Sequence, residues 1–203
     1  MPKIQAVIFD WGGILIENPA EAILAFCSRA LNVAPSILSS VVQKYEPLFQ
    51  TNAITEDQFW GRVCTDLNVP KFSHRSLWDD ALRYAYRPRL EVFDLIGKLR
   101  IAGYRTALLS NTEMPAVEIY REKHDGTFDV VVLSCLEGIR KPDRQIYHRT
   151  VARLRVAPEE ALLLDDRIEN VEGAKQAGLN ACLCVSIKEI MNAVSTLPRI
   201  VSP

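Results

Sequence analysis

From Pro88 onward the chain alternates helix-like and strand-like segments with short links, and this alternation constrains its fold more than any other feature. Apolar periodicity predicts helices over 89–102, 115–123, 143–154, 168–177 and 187–196. Between them lie the short apolar runs Tyr104–Leu109, Phe128–Leu133, Ala161–Leu164 and Asn180–Val185, which read as strands. Strands joined through helices of roughly 10 to 15 residues pair in parallel, and the helices cover both faces of the sheet. Ile4 to Phe9, closed by Asp10-Trp11-Gly12-Gly13, reads as one more buried parallel strand ending in a turn. The expected fold class is α/β, a doubly wound, Rossmann-like parallel sheet.

A different texture interrupts this pattern early. Between about 20 and 85, apolar residues recur at three- and four-residue spacing in four segments, around 20–31, 36–49, 55–67 and 74–85. Pro35, Thr55 and Ser73 stand where helices start, and Pro47 stands as a kink point in the second. At about 150 residues per domain, 203 residues suit one core and a smaller insertion. We therefore expect a core over 1–17 and 87–203 and an all-helical insertion over 18–86. The last residues, 197–203, read as a loose tail.

Charge narrows the partners. Lys and Arg number 24 against 25 Asp and Glu, a formal net charge of −1, so the footprint of a nucleic-acid binder or a polybasic membrane anchor is missing. The start of the chain lacks a signal-peptide pattern, and no apolar run approaches the roughly 18 residues of a membrane span. The expectations are a cytoplasmic protein, monomer or homodimer, with no nucleic-acid or membrane partner. The five cysteines (Cys27, Cys64, Cys135, Cys182, Cys184) show no paired ligand spacing and read as reduced, apolar core residues. His74, His124 and His148 are dispersed and read as surface residues.

In an open parallel sheet, ligands bind beyond the carboxyl ends of the strands. The first strand runs into Asp10, the second into Ser110-Asn111-Thr112, the third into a loop reaching Lys141-Pro142-Asp143, and the fourth into Asp165-Asp166. Each alone reads as a helix cap or turn residue. Together they set a carboxylate, a hydroxyl, an amide, an amine and a carboxylate pair on one rim.

The segments Phe-Asp-Trp-Gly-Gly (9–13), Leu-Ser-Asn-Thr (109–112), Gly-Ile-Arg-Lys-Pro-Asp (138–143) and Leu-Asp-Asp-Arg-Ile-Glu-Asn-Val-Glu-Gly-Ala (164–174) resemble the four ordered motifs of the haloacid-dehalogenase-like hydrolase superfamily. Their wording is most similar to its bacterial glucose-1-phosphate phosphatase branch, and 18–86 resembles the family's small helical cap. The resemblance implies Asp10 as a nucleophile that becomes an aspartyl-phosphate. It implies magnesium held by Asp10, the Gly12 carbonyl and Asp166, with Asp165 orienting the metal-bound water or the lysine from behind. Ser110 and the Asn111 N–H would bind a phosphoryl oxygen, and Lys141 would pair with both the phosphate and Asp10. The implied partner is a small phosphorylated metabolite, with a sugar phosphate such as glucose 1-phosphate first in line.

Two departures qualify that picture. Phosphatases of the superfamily usually carry a general acid/base aspartate two positions after the nucleophile, where this chain has Gly12. Such a group is worth on the order of 10² to 10⁴ in rate, and Glu17, His74 or metal-ordered water stand as replacements. Asn170 occupies a position that is acidic in many members. Two alternatives therefore stay open: a 2-haloacid dehalogenase, which needs no metal, and a phosphate-ligand binding protein without turnover. Arg83, Arg87 and Arg89 read as solvated charge, Phe59, Trp60 and Trp78 as helix packing, and Trp11 as either an entrance wall or a core residue.

Overall fold

The computed structural model describes residues 3–72 and 75–198. Five parallel strands form one sheet: β1 (Ala6–Phe9), β2 (Arg105–Ser110), β3 (Val130–Leu133), β4 (Ala161–Asp165) and β5 (Asn180–Leu183), in the order β3-β2-β1-β4-β5. Parallel β1 is buried along its whole length, and its side chains alternate between two separate cores, as the two-residue period of a strand requires. Val7 and Phe9 pack with Leu108, Leu162 and Leu164, whereas Ala6 and Ile8 pack with Ala107, Leu109 and Leu163.

The first of these cores is closed by α5 (Leu90–Ile101), α6 (Met114–His124) and α10 (Ile187–Ser195), the second by α8 (Arg144–Leu154) and α9 (Ile168–Gln176). The doubly wound α/β expectation holds. Two short elements gave no sequence signal: the single turn α7 (Ser134–Glu137) and a 3₁₀ turn at Pro158–Glu160. Both are too short for a hydrophobic period to show.

The four predicted helical segments form α1 (Ala20–Leu31), α2 (Pro35–Gln50), α3 (Glu56–Leu67) and α4 (Leu77–Ala85), which share a third hydrophobic core. Pro35 starts α2, and Thr55 caps α3 in a reciprocal box with Gln58. Ser76, whose Oγ accepts from the Asp79 N–H at 3.0 Å, caps α4. Ser73 and His74 lie outside the described residues. Pro47 sits inside α2 without ending it. At the centre of this third core Phe49 stacks on Phe59 (centroids 4.5 Å apart), with Trp78 edge-on to both. Glu56 ties α3 to α4 by accepting from Ser76 Oγ at 2.7 Å and the Trp78 N–H at 2.9 Å.

Some single-residue expectations need correction. Four of the cysteines are buried, but Cys182 is only half-buried, and all five are free thiols. His124 is half-buried rather than on the surface: it stacks on Phe93, with Trp11 edge-on, and bonds the Tyr86 hydroxyl. Leu197 packs into the first core instead of joining a loose tail, while 199–203 lie outside the described residues. None of the described helices is by itself long and apolar enough to cross a membrane.

Candidate active site

β1 lies between β2 and β4, which its chain reaches only after winding out to β3, so the sheet order reverses at the β1/β4 pair and the loops beyond it diverge. Asp10 stays in register as it leaves the sheet, donating its N–H to the Leu164 carbonyl at 3.0 Å. Ser110 ends β2, Asp165 ends β4, and Asp166 follows. Strand pairing alone therefore brings residues about 100 and 155 positions apart onto one rim.

Lys141 arrives from the loop after α7, and Asn111 clamps it there. The Asn111 amide donates to the Lys141 carbonyl at 2.9 Å and accepts from the Lys141 N–H at 2.8 Å. The lysine side chain is completely buried, and its ammonium contacts Asp10 Oδ1 at 2.9 Å, Asp165 Oδ2 at 2.6 Å and the Leu109 carbonyl at 2.9 Å. A lysine has three protons to donate, and these partners take all of them. A direct bond from Lys141 to phosphate would have to displace one. In this geometry the residue aligns two carboxylates.

Asp165 is equally committed, because its Oδ1 accepts from the Arg167 N–H at 3.0 Å and from Asn170 Nδ2 at 2.9 Å. Asn170, the second departure, thus serves as the donor that orients Asp165. On Asp10 both contacts fall on Oδ1, from Lys141 and from the Trp11 N–H at 2.7 Å, which leaves Oδ2 as the available oxygen. Asp166 is half-buried and accepts from Asn18 Nδ2 at 3.0 Å.

Carboxylate oxygens of Asp10, Asp165 and Asp166 all come within 4.8 Å of one another. Burial drives the Asp10 carboxyl up to about 7, against the lowering pull of Lys141 and with further upward push from Asp165 and Asp166. Burial and the Asp165 charge likewise raise Asp166, opposed by the Asn18 hydrogen bond. Three carboxylates against one ammonium leave an excess of two negative formal charges, and every donor in the set is a hard oxygen. A small divalent cation fits both the charge and the ligand type.

Gly13 shows how closely Asp166 is seated. Its φ is +79°, a conformation that costs other residues about 1–2 kcal/mol, and a Cβ there would stand 2.1 Å from Asp166 Oδ2. Any side chain at this position displaces that carboxylate.

The three arginines read as solvated charge are each engaged by a partner. Arg83 pairs with Asp79 at 2.8 Å and Glu122 at 2.6 Å, Arg87 donates to the Tyr84 and Tyr86 carbonyls, and Arg89 donates to the Gly13 carbonyl. Arg83 and Arg87 are exposed as expected, while Arg89 is half-buried; Arg83 and Arg89 link the helical unit's end to α6 and to the Gly13 turn, and none of the three lines the cavity. Glu17 is exposed and stands apart from the cavity wall, and His74 lies outside the described residues. Gly12 has no side-chain proton donor to offer.

Asp10, Gly12, Ser110, Asn111 and Asp166 line a cavity of about 850 Å³ that extends between the sheet and the four-helix unit. Trp11, Trp60 and Trp78 line it as well, so these tryptophans combine packing with a cavity-facing role.

Residues 4–178 match the family described as haloacid dehalogenase-like hydrolases. The chain belongs to that family. Among curated relatives of this hydrolase, the acyl-CoA dehydrogenase family member 10 of Mus musculus is 32% identical over 87% of the chain, which spans only 17% of the mouse protein's length. The sesquiterpene phosphatase astK of Aspergillus oryzae is 26% identical, with 86% of this chain and 87% of that protein aligned. Among solved structures, a predicted HAD-like hydrolase from Porphyromonas gingivalis superposes with a TM-score of 0.79 at 24% identity, covering 98% of this chain and all of its own. That likeness supports the α/β fold derived above.

Asn18 is the contact that sequence reasoning missed. It lies 148 positions from Asp166 and carries no local signature.

Proposed function

We propose that this hydrolase is a magnesium-dependent phosphomonoesterase in which Asp10 carries the transferred phosphoryl group. The observation that carries this reading is the buried Lys141 ammonium bridging Asp10 and Asp165 beside Asp166, at the head of a cavity sized for a small organic ligand. In-line phosphoryl transfer asks for a positioned nucleophile and neutralised charge, with little else from the protein. The Asp10 carboxylate attacks phosphorus as the ester P–O bond breaks, and the departing alkoxide takes a proton from water. A water then attacks the acyl phosphate, releasing inorganic phosphate and regenerating Asp10.

Magnesium, held by Asp10, the Gly12 carbonyl and Asp166, would supply charge neutralisation at the phosphoryl oxygens. Lys141 and Asp165 keep the Asp10 carboxylate aimed, and Arg167 and Asn170 keep Asp165 aimed. Ser110, only 4% exposed and on the cavity wall, would donate to a phosphoryl oxygen with the Asn111 N–H. The helical unit over 18–86 acts as a cap that keeps bulk water from the site. The alignment to a phosphatase along 86% of the chain supports this reading.

The missing acid at Gly12 is what favours dehalogenation as a second reading, and one panel separates the two. Sugar phosphates, glucose 1-phosphate among them, an aryl phosphate and a 2-haloacid are each incubated with magnesium and with chelator. We expect phosphate release that needs magnesium. Halide release indifferent to chelator would assign the protein to the dehalogenases, and phosphate-analogue binding without turnover would make it a binding protein.

A further inference from the structure

Two buried polar contacts join the helical unit to the residues that directly follow Ser110. From α2, the Gln50 carbonyl accepts from Ser134 Oγ at 2.6 Å, and that same hydroxyl oxygen accepts from the Thr112 N–H at 2.9 Å. From α4, the Trp78 indole N–H donates to Glu113 Oε2 at 3.0 Å. Gln50 is the last residue of α2, so its carbonyl is one of the four that a helix leaves without an internal partner, and a hydroxyl from the sheet side satisfies it. Ser134 is completely buried at the end of β3, where it follows Leu133, the residue paired with Ser110.

The two contacts are fixed relative to each other. Phe49, next to Gln50, packs edge-on against Trp78 with ring centroids 5.4 Å apart, inside the core that the four helices share. Residues 111–113 are in turn pinned one after another: Asn111 to the Lys141 backbone, Thr112 to Ser134, and Glu113 to Trp78. Two of these three anchors lead to the helical unit. Glu113 is held at this seam against a cost, since burial, seconded by the Glu46 charge, raises its carboxyl to about 7.

We propose that the helical unit positions Ser110 and Asn111 for phosphate through this seam, with Ser134, Glu113 and Trp78 as positioning residues. None of the three belongs to the four motifs. The inference rests on the phosphatase reading for the identity of the anion. Positioning of this kind matters because a shift of about 1 Å in a binding loop can cost on the order of 10²-fold in rate.

The test uses the full chain with magnesium, titrated calorimetrically with inorganic phosphate. This probe has no organic body for Trp78 to touch, so an effect of Trp78 on its affinity is an effect on the loop. Trp78→Phe, which keeps an aromatic ring and drops the donor, should weaken phosphate binding about tenfold, and so should Glu113→Met. The double variant should lose no more than either single one, because both break the same contact. Glu113→Gln, whose side-chain oxygen can still accept from the indole, should recover most of the loss. Magnesium alone should raise the melting temperature of each variant as much as that of the wild type, since Asp10 and Asp166 are untouched. Phosphate affinity within twofold of wild type in both single variants, additive losses in the double variant, or an equal loss of the magnesium effect overturns the proposal.

Hydrogen exchange of the ligand-free protein separates this proposal from the phosphatase reading. If the wild type neither hydrolyses a phosphate ester nor binds phosphate, the phosphatase reading falls. Faster exchange of the 111–113 amides in Trp78→Phe, with β1 and β4 unchanged, would then still uphold the seam. Unchanged exchange at 111–113, or an equal rise in β1 and β4, would refute it.

Discussion

Asp10→Asn is expected to lower magnesium-dependent phosphate release by about 10⁴-fold or more, the scale seen when a nucleophile acting within a unit is removed. The substitution is nearly isosteric, and the amide oxygen can still accept from Lys141 and the Trp11 N–H, the two contacts that hold Oδ1. The loss should therefore appear in kcat with the fold intact, as shown by an unchanged cooperative unfolding transition. A folded Asp10→Asn protein retaining more than a few per cent of activity would remove Asp10 from the nucleophile's role.

Lys141→Met is expected to act on stability as strongly as Asp10→Asn acts on rate. Methionine fills a similar volume, but Asp10 and Asp165 are left as buried carboxylates without their shared cation. Removing one partner from a buried charge cluster costs about 3–5 kcal/mol. The pH dependence identifies the cause. In the wild-type protein the Asp10 carboxyl rises from 3.8 to about 7 on folding, so its contribution is fully present below about 4 and is lost as pH rises through 7. Lys141 is itself raised, despite the opposing effect of burial, by its two carboxylates, and its contribution persists beyond 10.5. Deleting Lys141 removes the strongest force holding Asp10 down, so the native variant binds protons that its unfolded chain does not. Urea midpoints of metal-free protein should show a large deficit at pH 8 that shrinks at pH 5. An equal deficit at both values would trace the damage to packing.

The sheet and its rim were legible because their signals are local. Alternating apolar runs predicted each strand to within a few residues, and in a parallel sheet strand ends fall together, so Asp10, Ser110 and Asp165-Asp166 converge without further information. The family resemblance extended this reading to Lys141, although its ammonium is spent on Asp10, Asp165 and Leu109.

What stayed hidden depends on contacts between distant segments. Asn18 reaches Asp166, Trp78 reaches Glu113, and Ser134 Oγ donates to the Gln50 carbonyl across 84 positions. None of these contacts imposes a period or a spacing. Arg89, half-buried and donating to the Gly13 carbonyl 76 positions away, departed from its solvated reading for the same reason. His124 was misread because three of its four aromatic neighbours, Trp11, Tyr86 and Phe93, come from distant segments.

The central claim is that a phosphoryl group passes through Asp10, and the most direct measurement is to find it there. Protein turning over an aryl phosphate with magnesium is quenched, reduced with borohydride and digested, and the peptide spanning 4–29 is read by mass spectrometry. The account predicts conversion of Asp10 to homoserine, dependent on both substrate and magnesium. Phosphate release that leaves Asp10 unmodified at every quench time, with the label on another side chain, would contradict it.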